Sequence, residues 1–114
     1  KSISIWGDGT PTRDFLYVQD AVRGLMLAAE KYDEGLPINL GSDQETTINE
    51  LVNLISKIIG FKGQIKWDKS KPNGQPRRKV SNKLAEEKLG FKSETTLEEG
   101  LQKTIEWFQK HIPK

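Results

Sequence analysis

The side chains of this chain best suited to chemistry are cationic. Residues 71–79 read Lys-Pro-Asn-Gly-Gln-Pro-Arg-Arg-Lys. Two prolines stiffen such a loop, and the glycine lets its backbone come close to a ligand. Arg77 and Arg78 carry planar forks of N–H donors, the geometry that grips phosphate oxygens. A diphosphate is the natural small partner. The competing reading is a solvated basic loop. Arg13 follows Gly7-Asp8-Gly9-Thr10-Pro11-Thr12 and precedes an apolar helical pattern. It is placed either to meet an anion or to pair locally with Asp8 or Asp14. Trp6 closes a strand pattern and reads as core. Trp107 and Phe108 read as helix packing, and His111 as surface.

Other chemistries lack their residues. With no cysteine and one histidine, the chain by itself has no disulfide, thiol nucleophile, cysteine-based zinc site, His-pair metal site or Ser-His-Asp triad. A dinucleotide loop needs Gly-x-Gly-x-x-Gly between strand and helix. The near match at Gly7 and Gly9 has Thr12 in the third glycine position. Tyr17 and Tyr32 meet Ala21 and Leu36 four residues on, so no Tyr-Lys oxidoreductase pair exists. These residues alone are not expected to catalyse a reaction.

The elements that must position the loops follow from periodicity. A length of 114 residues, 34% hydrophobic and 30% charged, fits one domain with a modest core. Ile3 and Ile5 alternate with polar residues before Trp6, a strand signal. Val18, Ala21, Val22, Leu25 and Ala28 or Ala29 follow helical spacing, predicting a helix over 18–31. Ile38 and Leu40 alternate again and predict a second strand ending at Gly41. Thr47 and Glu50 form a capping box for a helix carrying Ile48, Leu51, Val52, Ile55 and Ile58, stopped by Gly60. Ile65 and Trp67 predict a third strand, and residues 69–78 an ordered loop. Ser81 is the expected cap of a short helix ending at Gly90. Thr96 and Glu99 cap a last helix reaching about Lys110. The fold class is mixed α and β, short strands with about four helices.

Charge is unevenly spread. Residues 1–56 carry 4 basic and 9 acidic side chains, whereas residues 57–92 carry 11 basic and 3 acidic. The basic middle suggests an anionic partner. The aromatics near it are Phe61, Trp67 and Phe91, which make no interleaved platform for nucleic acid. The longest apolar run, Leu25–Ala29, is far below the roughly 20 residues of a membrane helix. The absence of cysteine fits the cytoplasm. Lys1 opens directly into strand-like sequence, so a piece of a longer protein is expected.

Residues 6–21, Trp-Gly-Asp-Gly-Thr-Pro-Thr-Arg-Asp-Phe-Leu-Tyr-Val-Gln-Asp-Ala, resemble the nucleotide-sugar epimerase/dehydratase family, the extended short-chain dehydrogenases. Ile38-Asn39-Leu40-Gly41-Ser42 resembles that family's late strand. Thr96–Leu101 with Thr104–Phe108 resembles its closing helix. The loop Trp67–Lys79 is similar to members that epimerise and reduce GDP-sugars, which usually carry Lys-Pro-Asp-Gly-x-Pro-Arg-Lys/Arg. The resemblance implies the C-terminal substrate-binding part of such an enzyme over 1–114. Residues 18–41 would complete an N-terminal Rossmann core that is missing from this chain. NADP or NAD would bind that core, where the catalytic residues would also lie.

Carried over by motif, Trp6, Arg13 and Asn73 would contact the sugar nucleotide, and the Arg77/Arg78 position would meet its diphosphate. Asn73 replaces a common Asp, and Ser81 stands where relatives often carry Asp. The resemblance further implies a GDP-sugar substrate, no nucleic-acid or membrane partner, and a homodimeric parent. Two rivals remain: a UDP-, dTDP- or CDP-sugar epimerase or dehydratase, and a stand-alone basic module that binds nucleic acid.

Overall fold

The computed structural model describes residues 1–112. In chain order it contains β1 (Ser2–Trp6), β2 (Thr12–Arg13), α1 (Val18–Lys31), β3 (Thr46–Thr47), α2 (Ile48–Ile59), β4 (Gln64–Asp68), β5 (Arg77–Arg78), α3 (Lys83–Leu89) and α4 (Leu97–His111). The expected class is borne out: four helices joined by short strands. Both capping boxes are complete. The Thr47 and Thr96 hydroxyls accept the N–H groups of Glu50 and Glu99, whose carboxylates reach back to the cap N–H groups. Each reciprocal pair satisfies donors that a helix start leaves orphaned. Gly60 and Gly90 end α2 and α3 in the left-handed conformation.

The strands pair only over long distances. β1 lies parallel to β4, from Ser2 opposite Gln64 to Trp6 opposite Asp68. β2 is the centre of a three-stranded sheet, antiparallel to β3 and parallel to β5. Parallel neighbours need a long crossover, which here is the whole segment holding α1 and α2.

Two expectations about local structure are corrected. Residues 38–40 are not a strand, because no neighbouring strand among the described residues offers them a ladder. Gly41 instead receives and gives its backbone hydrogen bonds through the Asn82 side chain, at 2.7 and 2.6 Å. Ile38 and Leu40 pack on the core. The start of α3 is also shifted. Asn82 is the cap residue and its side chain is committed to Gly41, while Ser81 Oγ accepts only the Lys83 N–H at 3.3 Å.

The core is small. Ala85, Leu89 and Phe91 are buried, and Leu16, Leu27, Ala28, Tyr32, Ile38 and Leu40 pack around them. A buried carboxylate, Asp20, ties α1 to the segment before α4. It accepts the N–H groups of Thr95 and Glu94, the Ser93 hydroxyl and an Arg23 N–H, at 3.0–3.3 Å. Burial is the largest single influence on its pKa and pushes it up, but those four donors together outweigh it and hold the group below the usual carboxylate range.

Much apolar surface stays open. Val18, Val22, Leu25 and Met26 of α1 are 48–64% exposed. Trp107 and Phe108, expected to pack, are each 57% exposed. Trp107 stacks instead on His111, ring centroids 4.7 Å apart, and His111 is at the surface as expected. The molecule measures 52 × 33 × 20 Å with a radius of gyration of 16.8 Å. A compact domain of this length has about 13 Å.

Candidate functional site

The two motif-bearing loops lie side by side. The Gly7 N–H donates to Asp68 O at 2.9 Å, and the Asp8 N–H to Asn73 Oδ1 at 2.8 Å. Farther along, the Thr12 N–H donates to Pro76 O at 3.0 Å, and Arg13 Nη1 to Gln75 O at 2.8 Å. The parallel β1–β4 and β2–β5 pairs are therefore two ends of one seam, with residues 7–11 and 69–76 running between them. Trp6, Arg13, Asn73, Arg77 and Arg78 all sit on this seam.

Glycine at position 7 is required by the seam. Gly7 has φ of +89°, and the Asn73 carboxamide fills the space a Cβ would take. At Gly9, with φ of +79°, a Cβ would come within 2.8 Å of the Trp67 ring. Asn73 Oδ1 is thus already committed to fixing this loop. Asp8 adds a local brace by accepting the Thr10 N–H and hydroxyl at 3.0 and 2.7 Å. Those two Thr10 bonds are the main reason its carboxyl sits below the usual range.

Trp6 is 66% exposed rather than core. Among the described residues β1 has a strand partner on one side only, and Lys71 Nζ lies over the Trp6 ring, 5.7 Å from its centroid. That arrangement is a cation–π contact. Arg13 is half-buried and pairs with neither Asp8 nor Asp14. Its Nη1 donates to Thr12 O and Gln75 O, so the guanidinium holds loop 72–76 with one nitrogen.

The pleat separates the adjacent arginines. Successive side chains on a strand point to opposite faces. Thr12 is opposite Arg77, and Arg13 opposite Arg78. Arg77 turns to Glu45: Nε meets Oε1 at 2.6 Å and Nη2 meets Oε2 at 3.0 Å. The same Oε1 accepts the Thr12 hydroxyl at 2.7 Å. The Arg77 hydrogen bonds, followed by the Thr12 bond, lower the Glu45 pKa to about 2, and Glu45 raises that of Arg77. Arg78 faces the other way. With Arg13 it lines a recess of 150 Å³ bounded by Asp14, Leu16, Leu40, Gly41 and Val80. Asp14 Oδ1 accepts the Ser42 N–H and hydroxyl at 2.8 and 2.5 Å, while its buried Oδ2 has no partner among the described residues.

Glu45, Asp14 and Lys71 are the site residues that sequence reasoning missed. Asp14 sits beside Arg13, and Lys71 opens the basic loop, so both had a local signal. Glu45 had none, because its partners lie 32 and 33 residues away.

The seam does not fit a nicotinamide dinucleotide. Asn73 covers Gly7 and the Trp67 ring covers Gly9, so the glycine backbone cannot receive a pyrophosphate. The loop also leads into β2, with helix α1 starting only at Val18.

Comparison with known proteins bears out the family resemblance. Residues 1–41 match the model of the NAD dependent epimerase/dehydratase family. A GDP-L-fucose synthase of Sinorhizobium fredii is 43% identical over 110 residues, covering 96% of this chain and 35% of that protein. The structure of UDP-glucose 4-epimerase with UDP-glucose from Thermotoga maritima superposes with a TM-score of 0.88 at 34% identity, over 99% of this chain and 36% of that one. A GDP-L-fucose synthetase from Naegleria fowleri bound to NADP gives 0.86 at 30% identity, over 96% and 35%. The chain spans about a third of the length of these relatives.

Proposed function

We propose, from the kinship of this chain with the NAD dependent epimerase/dehydratase family, that it is the nucleotide-sugar-binding C-terminal part of a GDP-L-fucose synthase-like enzyme. The parent is an NADP-dependent epimerase/reductase acting on GDP-4-keto-6-deoxy-mannose. The observation that carries this reading is the seam itself. It gathers the exposed Trp6 ring, the Arg13–Arg78 face and Asn73 along one continuous edge. Arg13 and Arg78 supply charge-assisted donors for the diphosphate. Trp6 supplies an apolar face, and the free amide of Asn73 a donor to the sugar nucleotide. Holding the substrate in one orientation lowers the barrier for groups presented from elsewhere.

The cofactor and catalytic groups belong to a Rossmann core outside this chain, which residues 18–41 help complete. The open apolar face of α1 is the surface that core covers. The parent works as a homodimer in the cytoplasm. Likeness to a UDP-glucose 4-epimerase favours a second reading, in which the base is uracil and the parent an NAD-dependent epimerase or dehydratase.

An NMR titration of the chain with GDP-mannose and UDP-glucose decides between them. Shifts at Trp6, Arg13 and residues 71–79, tighter for the GDP-sugar, are expected. Arg78→Ala should weaken binding by about 10- to 100-fold, the equivalent of one hydrogen bond to a charged group. A tighter response to UDP-glucose would select the second reading. Silence of these residues toward both ligands would overturn the site.

A further inference from the structure

We infer that Glu45 and Arg77 act as a positioning pair that aligns Arg13 and Arg78, and that Arg77 is not itself a diphosphate contact. What the aligned pair would hold rests on the nucleotide-sugar reading above.

Three observations carry this. First, one of the two bidentate edges of Arg77, the one formed by Nε and Nη2, is already closed on a carboxylate. To take a phosphate with that edge, the guanidinium would have to abandon Glu45. Second, Glu45 reaches two strands at once. It accepts from Thr12 on β2 and from Arg77 on β5, and it directly precedes β3. Each of these strands has only two residues, too few ladder bonds to hold register unaided. The three side-chain bonds to one carboxylate brace the whole small sheet from one face. Third, the pleat places Arg13 and Arg78 on the opposite face, in register with each other. The spacing of their guanidinium groups therefore follows from the strand register that Glu45 and Arg77 set. Lys79 and Asp43 are the other charged groups near this brace. They pair at 3.7 Å, and Lys79 adds a smaller downward pull on the Glu45 pKa.

The test is a double-mutant cycle on the 114-residue chain, read as GDP-mannose affinity. Glu45→Ala and Arg77→Ala should each weaken binding by about 5- to 20-fold, and the double variant no further, because both remove one brace. The charge swap E45R/R77E should recover most of the affinity, since it rebuilds the ion pair with no cation returned to position 77. Glu45→Gln and Arg77→Lys serve where an alanine variant does not fold.

A direct contact gives the opposite pattern. Glu45→Ala would then leave affinity unchanged or tighter by releasing Arg77, Arg77→Ala would stay weak, and the swap would not recover. That result overturns the inference. Absence of nucleotide-sugar binding by the native chain would overturn the functional reading instead. The brace is then judged without ligand, from the side-chain Nε–Hε resonances of Arg13 and Arg78. Movement of both on Glu45→Gln supports it, and unmoved resonances overturn it.

Discussion

Arg77 and Arg78 are the same residue type at adjacent positions, yet they meet different surroundings. A two-residue strand is enough to turn one toward Glu45 and the other toward Arg13. The Glu45 carboxyl, held near 2 by Arg77 and Thr12, also makes the brace pH-sensitive. Its folded pKa lies below the ordinary 4.5, so in acid the unfolded chain binds the proton first. The brace therefore adds stability above about pH 5 and loses it as the pH falls toward 2. Asp8, Asp20 and Glu50 are also held low and act in the same direction. Thermal melts from pH 7 to 2 should show Glu45→Gln less stable than the native chain at pH 7, with the two curves converging near pH 2. Parallel curves would mean that the ion pair gives no net stabilisation.

Among the elements, the helices were legible and the small sheet was not. The range predicted for α1, residues 18–31, is the range observed. Both capping boxes were visible because a cap is a local bargain among residues three apart. β1 and β4 showed their alternation. β2, β3 and β5 could not be seen, since two residues carry no period and their pairing depends on partners tens of residues away. Residues 38–40 had the alternation of a strand without a neighbour to pair with, and Asn82 took the ladder's place. The candidate residues could be read as a set on two loops, but not as a seam, and not in the different surroundings of Arg77 and Arg78. At this scale Thr47→Ala should cost about 1 kcal/mol of stability, with Thr47→Ser restoring most of it. A urea titration reads this directly. A loss no larger than a few tenths would show that α2 is held by packing rather than by its cap.

The molecule as a whole is extended and thinly cored. Its surface of 8388 Å² exceeds the roughly 6,300 Å² of a compact monomer of its mass. Leu25, 64% exposed, is one of the side chains that make the difference. Leu25→Lys should change stability by less than about 0.5 kcal/mol, as surface substitutions do, and should lower any concentration-dependent association in sedimentation velocity. A large loss of stability would place Leu25 in the core instead. The seam also has a consequence for the order of assembly. Its two edges are separated by about sixty residues of chain, and closing a loop of that length costs roughly 3–4 kcal/mol in entropy before any ladder bond forms. The helices can form from local contacts, whereas the seam must wait for a closed loop. The seam residues are thus expected to come together late, and a partner that grips both edges would act as a staple across the longest strand-to-strand closure in the fold.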